Sequence, residues 1–155
     1  MEKERIISLE SLEIKDGLVE VNLCDYQEEI VGVIEGAKLS AAYAEHGERW
    51  VTYWVEGKMV GCVTIERRDK LVHLQSLSVD KNHRRMGIAR ELVEYVFDNY
   101  VDQGEALTAL TLFWNVKIYE KLGFTRVDAA EMKKVDDVAG REKHKHCAAL
   151  IKLKE

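Results

Sequence analysis

A short basic segment near the middle of the chain has the residue types and spacing of an anion-binding loop. Between Lys81 and Arg90 there are four positive charges, no negative charge and one glycine, Gly87. A β-rich run at 71–79 precedes the segment, and an apolar stripe at helical spacing follows it from Ile88. The pattern predicts a loop between a strand and a helix N-terminus, where unpaired backbone N–H groups and the helix dipole favour anionic oxygens.

The charge balance favours a compact polyanion over nucleic acid as the ligand. The chain has a formal net charge of −5, so its positive charge is local, whereas a nucleic-acid-binding surface is expected to be basic over a broad face. No apolar run approaches the roughly 20 residues of a membrane helix, and residues 1–5 lack the apolar core of a signal peptide. We therefore expect a cytoplasmic protein with one domain over 1–155 and with no membrane or nucleic-acid partner.

Hydrophobic periodicity predicts an α+β fold, with a mixed, mostly antiparallel sheet and helices on both faces. The Asp16-Gly17 pair predicts a hairpin between strands at 6–14 and 18–23. Asp25 and Glu28 have capping-box spacing, which predicts that one or two helices fill 26–45. Further strands are expected at 50–56, 58–67, 71–79, 106–113, 124–128 and 146–153, and further helices at 87–102 and about 115–121.

Two motifs at a set separation identify a family. The run Arg84-Arg85-Met86-Gly87-Ile88-Ala89 resembles the Gln/Arg-x-x-Gly-x-Gly/Ala signature of the Gcn5-related N-acetyltransferases (GNAT), and Leu77-Ser78-Val79 resembles the strand end that precedes it. About thirty-five residues further on, Tyr119-Glu120-Lys121-Leu122-Gly123-Phe124 is similar to the family's Tyr-Glu-Lys-Leu-Gly-Phe element. Two such motifs are far more specific than a lone glycine loop.

The resemblance implies acetyl-CoA as the donor substrate, and no metal is expected. Its pyrophosphate would lie on the backbone amides of 85–89, and its pantetheine arm would run beside the strand end at 77–79. A glycine at position 87 would let the backbone approach the phosphates closely. The residues expected to bind acetyl-CoA are Leu77, Ser78, Val79, Arg84, Arg85, Met86, Gly87, Ile88, Ala89 and Arg90.

Tyr119 is the expected general acid, the role that the family gives to the matching tyrosine. A phenol with a pKa of about 10 stays protonated at neutral pH and can donate to a departing thiolate, whose thiol has a pKa of about 8.5. The alternative is an aromatic side chain that only packs on the core face of a short helix.

His73 is the leading candidate for the general base. Histidine titrates near neutral pH, and the position matches a catalytic glutamate of some family members. Glu66 and a water molecule held by Gln75 or Ser76 are alternatives, and a backbone N–H near Leu77 would stabilise the oxyanion.

The acceptor is expected to be a primary amine of a small molecule, such as an amino acid. A fainter likeness of the C-terminal third to N-acetylglutamate synthases makes glutamate one option; a protein or peptide N-terminus and a non-catalytic CoA-binding module are the alternatives. Trp50, Tyr53 and Trp54 either line an acceptor pocket or belong to the core. A homodimer is one option for assembly.

Three further expectations concern the C-terminal half. Asn115 is expected to be the N-cap of the short helix. The trio His144, His146 and Cys147 is not expected to bind a metal, because the two histidines share one face of a strand and the cysteine points away. The charged stretch 129–143 is expected to form a mobile loop or a short helix.

Overall fold

The computed structural model describes residues 15–37, 49–127 and 147–155. The strands are β1 (Gly17–Asn22), β2 (Arg49–Val55), β3 (Lys58–Arg68), β4 (Leu71–Val79), β5 (Ala106–Leu112), β6 (Thr125–Arg126) and β7 (Cys147–Leu153). The helices are α1 (Leu23–Gly36), α2 (Ile88–Tyr100) and α3 (Val116–Lys121), with short 3-10 turns at Lys81–His83 and Phe113–Asn115.

These strands form one seven-stranded sheet in the order β1-β2-β3-β4-β5-β7-β6. Every neighbouring pair is antiparallel except β4 and β5, which are parallel and are joined through α2. The predicted α+β class and the antiparallel meander of β2, β3 and β4 are confirmed. The predicted strand at 6–14, the end of the predicted 26–45 helical region, the stretch 129–143 and both histidines of the C-terminal trio lie outside the described residues.

One face of the sheet packs on α2, and we call it the α2 face. Alternate residues of β4 and β5, such as Val72 and Leu107, are buried there against Leu92 and Val96 of the helix. Strand alternation explains this placement, because residues two apart in a strand point to the same side. Val116 of α3 and Phe124 join the same cluster.

The opposite face packs on α1, and we call it the α1 face. Trp50, Trp54 and Cys62 lie there against Ile30 and Ile34. The helix begins at Leu23, earlier than its sequence predicts, and no side chain caps its N-terminus. Tyr26 has non-helical backbone angles, φ −136° and ψ 25°, so a kink stands close to the point where the capping-box spacing predicts the start. None of the described helices is long and apolar enough to span a membrane.

Candidate active site

The sheet opens between its two parallel strands. β4 and β5 are paired only at Leu71↔Ala106, Val72↔Leu107 and His73↔Thr108. Beyond this point β4 continues along β3 to Val79, while β5 continues along β7 to Leu112. The two strands therefore separate toward their carboxyl ends, which is the edge where open sheets with strand-helix units bind ligands.

The predicted anion loop lies at the β4 side of this opening. Two of its residues are in the left-handed region, Arg85 at φ 65° and Gly87 at φ 79°. Gly87 is the N-cap of α2 and has no side-chain cap, while the backbone N–H of Glu91 donates to its carbonyl. A Cβ atom at position 87 would meet nothing within 4 Å, so the glycine faces open space. Uncapped N–H groups beside open space suit a phosphate group.

The side chains of the loop divide into two groups. Arg84, Arg85 and Met86 are exposed, and within the described residues no carboxylate pairs with either arginine. Arg90 instead pairs with Glu94 at 3.1 Å, and Ile88 is buried in the α2-face cluster. Among the described residues, Lys81, Arg84 and Arg85 thus hold positive charge at the loop without a carboxylate partner, whereas Ile88 and Ala89 can offer backbone N–H groups.

A bulge in β4 shapes the strand end that leads to the loop. Gln75 pairs with Thr64 and Ser78 with Cys62, so Ser76 and Leu77 of β4 together face one residue of β3, Val63. Ser76 has a φ of 57°, and the Ser78 hydroxyl donates to its carbonyl at 3.0 Å. The bulge leaves backbone groups of 76–77 outside the ladder, as the predicted oxyanion donor near Leu77 requires.

Tyr119 lies on α3, which follows β5 on the other side of the opening. Its half-buried ring meets the ring of Phe124 edge-on, with centroids 5.5 Å apart. Burial raises the pKa of Tyr119 to about 12, which keeps the phenol protonated at neutral pH. No described residue forms a hydrogen bond with its hydroxyl. The side chain both packs on the core and carries an available proton.

His73 lies at the closed end of the opening. It is 3% exposed, and its Nδ1 is 2.8 Å from the Thr108 hydroxyl on the neighbouring strand. Its role as the general base stays a prediction; a buried ring would exchange protons with the cleft through an intervening group.

The two alternatives for the base form a contact of their own. The Gln75 side-chain amide donates to the Glu66 carboxylate at 2.7 Å. Both side chains lie on the α1 face, because they alternate with residues that pack on α2. Glu66 of β3 stands opposite His73, and Gln75 is two residues beyond His73 along β4, where β4 and β5 have already separated.

The three aromatic residues of β2 do not share a pocket. Trp50 is fully buried in the α1-face cluster, while Tyr53 lies on the α2 face, where the Glu91 carboxylate raises the pKa of its hydroxyl. Trp54 forms part of the floor of a groove of about 440 Å³ between α1 and the β2–β3 turn, and Asp80 reaches that groove. The aromatic stripe is therefore mainly core.

Asn115 stands at the expected N-cap of α3, but its side chain makes no capping hydrogen bond. Among the described residues, no three His, Cys, Asp or Glu side chains are grouped so that they could hold a metal ion. The sequence analysis missed a contact in the loop, the pair formed by His83 Nδ1 and Asp80 Oδ2 at 2.9 Å. Asp80 directly precedes the basic segment and His83 lies three residues further on, and this spacing was the available signal.

Comparison with known proteins identifies the family of the chain. The family model described as an acetyltransferase (GNAT) domain matches residues 25–136. That range is most of the chain and contains both motifs, so the chain belongs to this family, as the motifs predict. It is an acetyltransferase domain by class.

Relatives in sequence match only part of the chain. N-acetylaspartate synthetase of Xenopus tropicalis is 35% identical over 88 residues, which are 51% of this chain and 32% of that protein. The chain spans about a third of the length of the curated relatives it matches.

Solved structures share the fold at low identity. N-acetylglutamate synthase from Neisseria gonorrhoeae, complexed with coenzyme A and L-arginine, superposes with a TM-score of 0.69 at 13% identity, over 91% of this chain and 34% of that one. The ribosomal-protein-S18-alanine N-acetyltransferase of Escherichia coli superposes with a TM-score of 0.68 at 18% identity, over 89% of this chain and 95% of that one. Both confirm the fold predicted for the chain.

Proposed function

We propose that this chain transfers the acetyl group of acetyl-CoA to the primary amine of a small molecule, with an acidic amino acid as the preferred acceptor. One observation carries the proposal: the opening between β4 and β5 has an uncapped helix N-terminus on one side and, on the other, a protonated tyrosine whose hydroxyl has no hydrogen-bond partner among the described residues. A phosphate-bearing thioester needs the first feature for binding and the second for departure of its thiolate.

The donor substrate fits the loop residue by residue. Backbone N–H groups at the start of α2 would receive the pyrophosphate, and Arg84 and Arg85 would add charge from their exposed positions. Leu77 and Val79, half-buried beside the α2-face core, would line the path of the pantetheine arm. A neighbour of this fold was solved with coenzyme A, which supports the choice of donor.

In the reaction, a neutral amine attacks the thioester carbonyl, so that a C–N bond forms and the C–S bond breaks. The Tyr119 hydroxyl gives its proton to the departing sulfur, and the proton that the nitrogen loses as the amide forms passes through solvent to reprotonate the phenolate. Its pKa of about 12 is far above that of a thiol in water, about 8.5. The difference between the two pKa values is smaller for a thiol inside the cleft, because burial raises the pKa of a thiol as well, as it does for Cys62.

The choice of acceptor rests on relatives. Proteins named N-acetylaspartate synthetase are the matching relatives in sequence, and an N-acetylglutamate synthase is a structural neighbour. L-Aspartate and L-glutamate are therefore the first acceptors to test.

The test is CoA release, followed with a thiol reagent, when the protein and acetyl-CoA are offered L-aspartate, L-glutamate, other amino acids, polyamines and alanine-initiated peptides. We expect Tyr119→Phe to lower kcat by about 100-fold or more, the usual contribution of a general acid, while calorimetric affinity for CoA stays unchanged. Tyr95→Phe is the matched control, because the Tyr95 hydroxyl bonds to Glu20, away from the opening.

Turnover that survives Tyr119→Phe would remove the tyrosine from the mechanism. CoA binding without turnover of any amine would instead favour a CoA-binding module. Turnover restricted to peptides would favour a protein or peptide N-acetyltransferase.

A further inference from the structure

We infer that Glu66 and Gln75 form the subsite that receives the ammonium group of the acceptor. The inference rests on the proposed function and specifies which part of the sheet recognises the second substrate. It concerns binding of the amine in its ammonium form, which gives up one proton to solvent before the neutral amine attacks.

The contact between the two side chains creates a defined pair of acceptors. Gln75 is 6% exposed, and its Nε2 donates to Glu66 Oε2 at 2.7 Å. This bond turns the carboxamide so that its nitrogen faces Glu66, which leaves the carboxamide oxygen with no described partner. One carboxylate oxygen and one carboxamide oxygen are then available to N–H donors.

The charge of Glu66 lacks a counter-ion within the described residues. The side chain is half-buried, yet its only described contact is with the neutral Gln75 amide. The adjacent Arg67 is engaged elsewhere, because it bonds to Glu105 and to the Tyr100 carbonyl. A partly buried carboxylate without a cation is costly, so a cationic ligand group is the natural complement.

The position of the pair agrees with this role. Glu66 stands opposite His73, and Gln75 is two residues beyond it on the same face. His73 belongs to the last β4–β5 pair, so the two acceptors lie at the narrow end of the opening on the α1 face. The anion loop begins after Val79 at the wide end, so the amine and the cofactor phosphates would occupy different parts of one cleft.

An ammonium group fits these acceptors better than a hydroxyl. It has three N–H donors and a positive charge, so it can bond to both oxygens and neutralise the carboxylate. A hydroxyl offers one donor and no charge, which leaves one oxygen unsatisfied. Sites built to bind such a donor reject analogues that lack it, because their polar groups are left unpaired.

The experiment compares an amine with its hydroxyl analogue. With L-aspartate as the acceptor, the KM is measured together with the inhibition constant of L-malate against L-aspartate. If another amine of the panel is turned over faster, that amine and its own hydroxyl analogue replace the pair. In Glu66→Gln we expect the KM for the amine to rise at least tenfold, with a smaller change in kcat and unchanged affinity for CoA. The inhibition constant of the hydroxyl analogue should change less than threefold.

Two further variants keep the test decisive. Glu28→Gln makes the same charge change at an exposed position of α1 and should leave all constants unchanged. If Glu66→Gln fails to fold, Gln75→Met removes the amide at similar volume and should raise the KM for the amine several-fold.

The outcomes separate the two proposals. A wild-type enzyme that acetylates an amine with the same KM in Glu66→Gln and Gln75→Met would overturn the subsite and leave the proposed function intact. A wild-type protein that binds CoA but neither acetylates nor binds any amine of the panel would overturn both.

Discussion

The two faces of the central sheet differ in what they bury. On the α2 face, the buried residues of β3, β4 and β5 are apolar and form one continuous cluster with α2. The buried polar residues described in this chain all alternate with that cluster and therefore lie on the α1 face: Thr52, Thr64, His73, Gln75, Ser78 and Thr108. The α2 face thus buries apolar side chains, whereas the α1 face buries both apolar and polar ones.

The difference shows how stability and chemistry are divided. Buried polar groups cost free energy unless they are hydrogen-bonded, so a sheet optimised only for stability would bury apolar residues on both faces. Here the polar residues have partners: Thr64 donates to the Arg49 carbonyl, and His73 contacts Thr108. The α2 face fixes the helix whose N-terminus forms the anion loop, and the α1 face presents polar groups to the cleft.

The largest expected effect on stability comes from loss of packing on the α2 face. Leu92 of α2 is fully buried in the cluster. We expect Leu92→Ala to lower the free energy of unfolding by about 2–5 kcal/mol, because it removes buried methyl groups and leaves a cavity. Urea denaturation measures the change. A loss below about 1 kcal/mol would mean that α2 is not anchored by this cluster.

A smaller effect is expected where β3 passes under the start of α2. A Cβ atom on Gly61 would stand 3.0 Å from Ile88 Cγ2 and 3.2 Å from Leu92 Cδ1. Gly61→Ala should therefore cost about 1–3 kcal/mol of stability through overpacking. It should also weaken CoA binding, because Ile88 begins the helix that follows the loop.

Gly32→Ala is the matched control for this change. A Cβ atom there meets nothing within 4 Å, and the site is inside α1, so alanine should stabilise the protein by up to about 1 kcal/mol. If Gly61→Ala behaves like Gly32→Ala, the close approach of β3 to α2 is not restrictive.

On the α1 face, loss of one hydrogen bond should lower the free energy of unfolding less than loss of a buried apolar side chain does. Thr108→Val keeps the side-chain volume but leaves His73 Nδ1 without its Thr108 partner. We expect a loss of about 1–2 kcal/mol in the free energy of unfolding, while Thr108→Ser should retain most of the stability. Equal losses in the two variants would indicate that the methyl group, not the hydroxyl, is what matters at this position.

The sequence predicts the packing of the α2 face better than the polar contacts of the α1 face. Apolar alternation and helical spacing locate β2, β3, β4 and α2 to within one or two residues, because their burial pattern is periodic. The motif residues predict the loop and Tyr119. The contact between Glu66 and Gln75, nine residues apart, depends on the register of β3 and β4. The residue types alone do not indicate that these two side chains meet, so the contact is seen only in the fold.

The smallest expected effect is a pH-dependent change in stability from the anion loop that precedes α2. A hydrogen bond from His83 holds the pKa of Asp80 below its usual value. Because this pKa is lowered on folding, the stabilisation is present above the ordinary aspartate pKa of about 3.9 and is lost as the pH falls through the lower folded value. Asp80→Asn should therefore lower the melting temperature slightly at pH 6, and the difference should shrink below about pH 4.

Asp98→Asn provides the control, because Asp98 is exposed on α2 and its carboxylate has no described partner. Its melting temperature should differ little from that of the wild-type protein at either pH. Calorimetric titration with CoA of the two variants at pH 6 then separates stability from binding. If the Asp80–His83 pair positions the loop, only Asp80→Asn weakens CoA affinity. If CoA affinity is unchanged, the packing of α2 on the α2 face of the sheet is sufficient to position the anion loop.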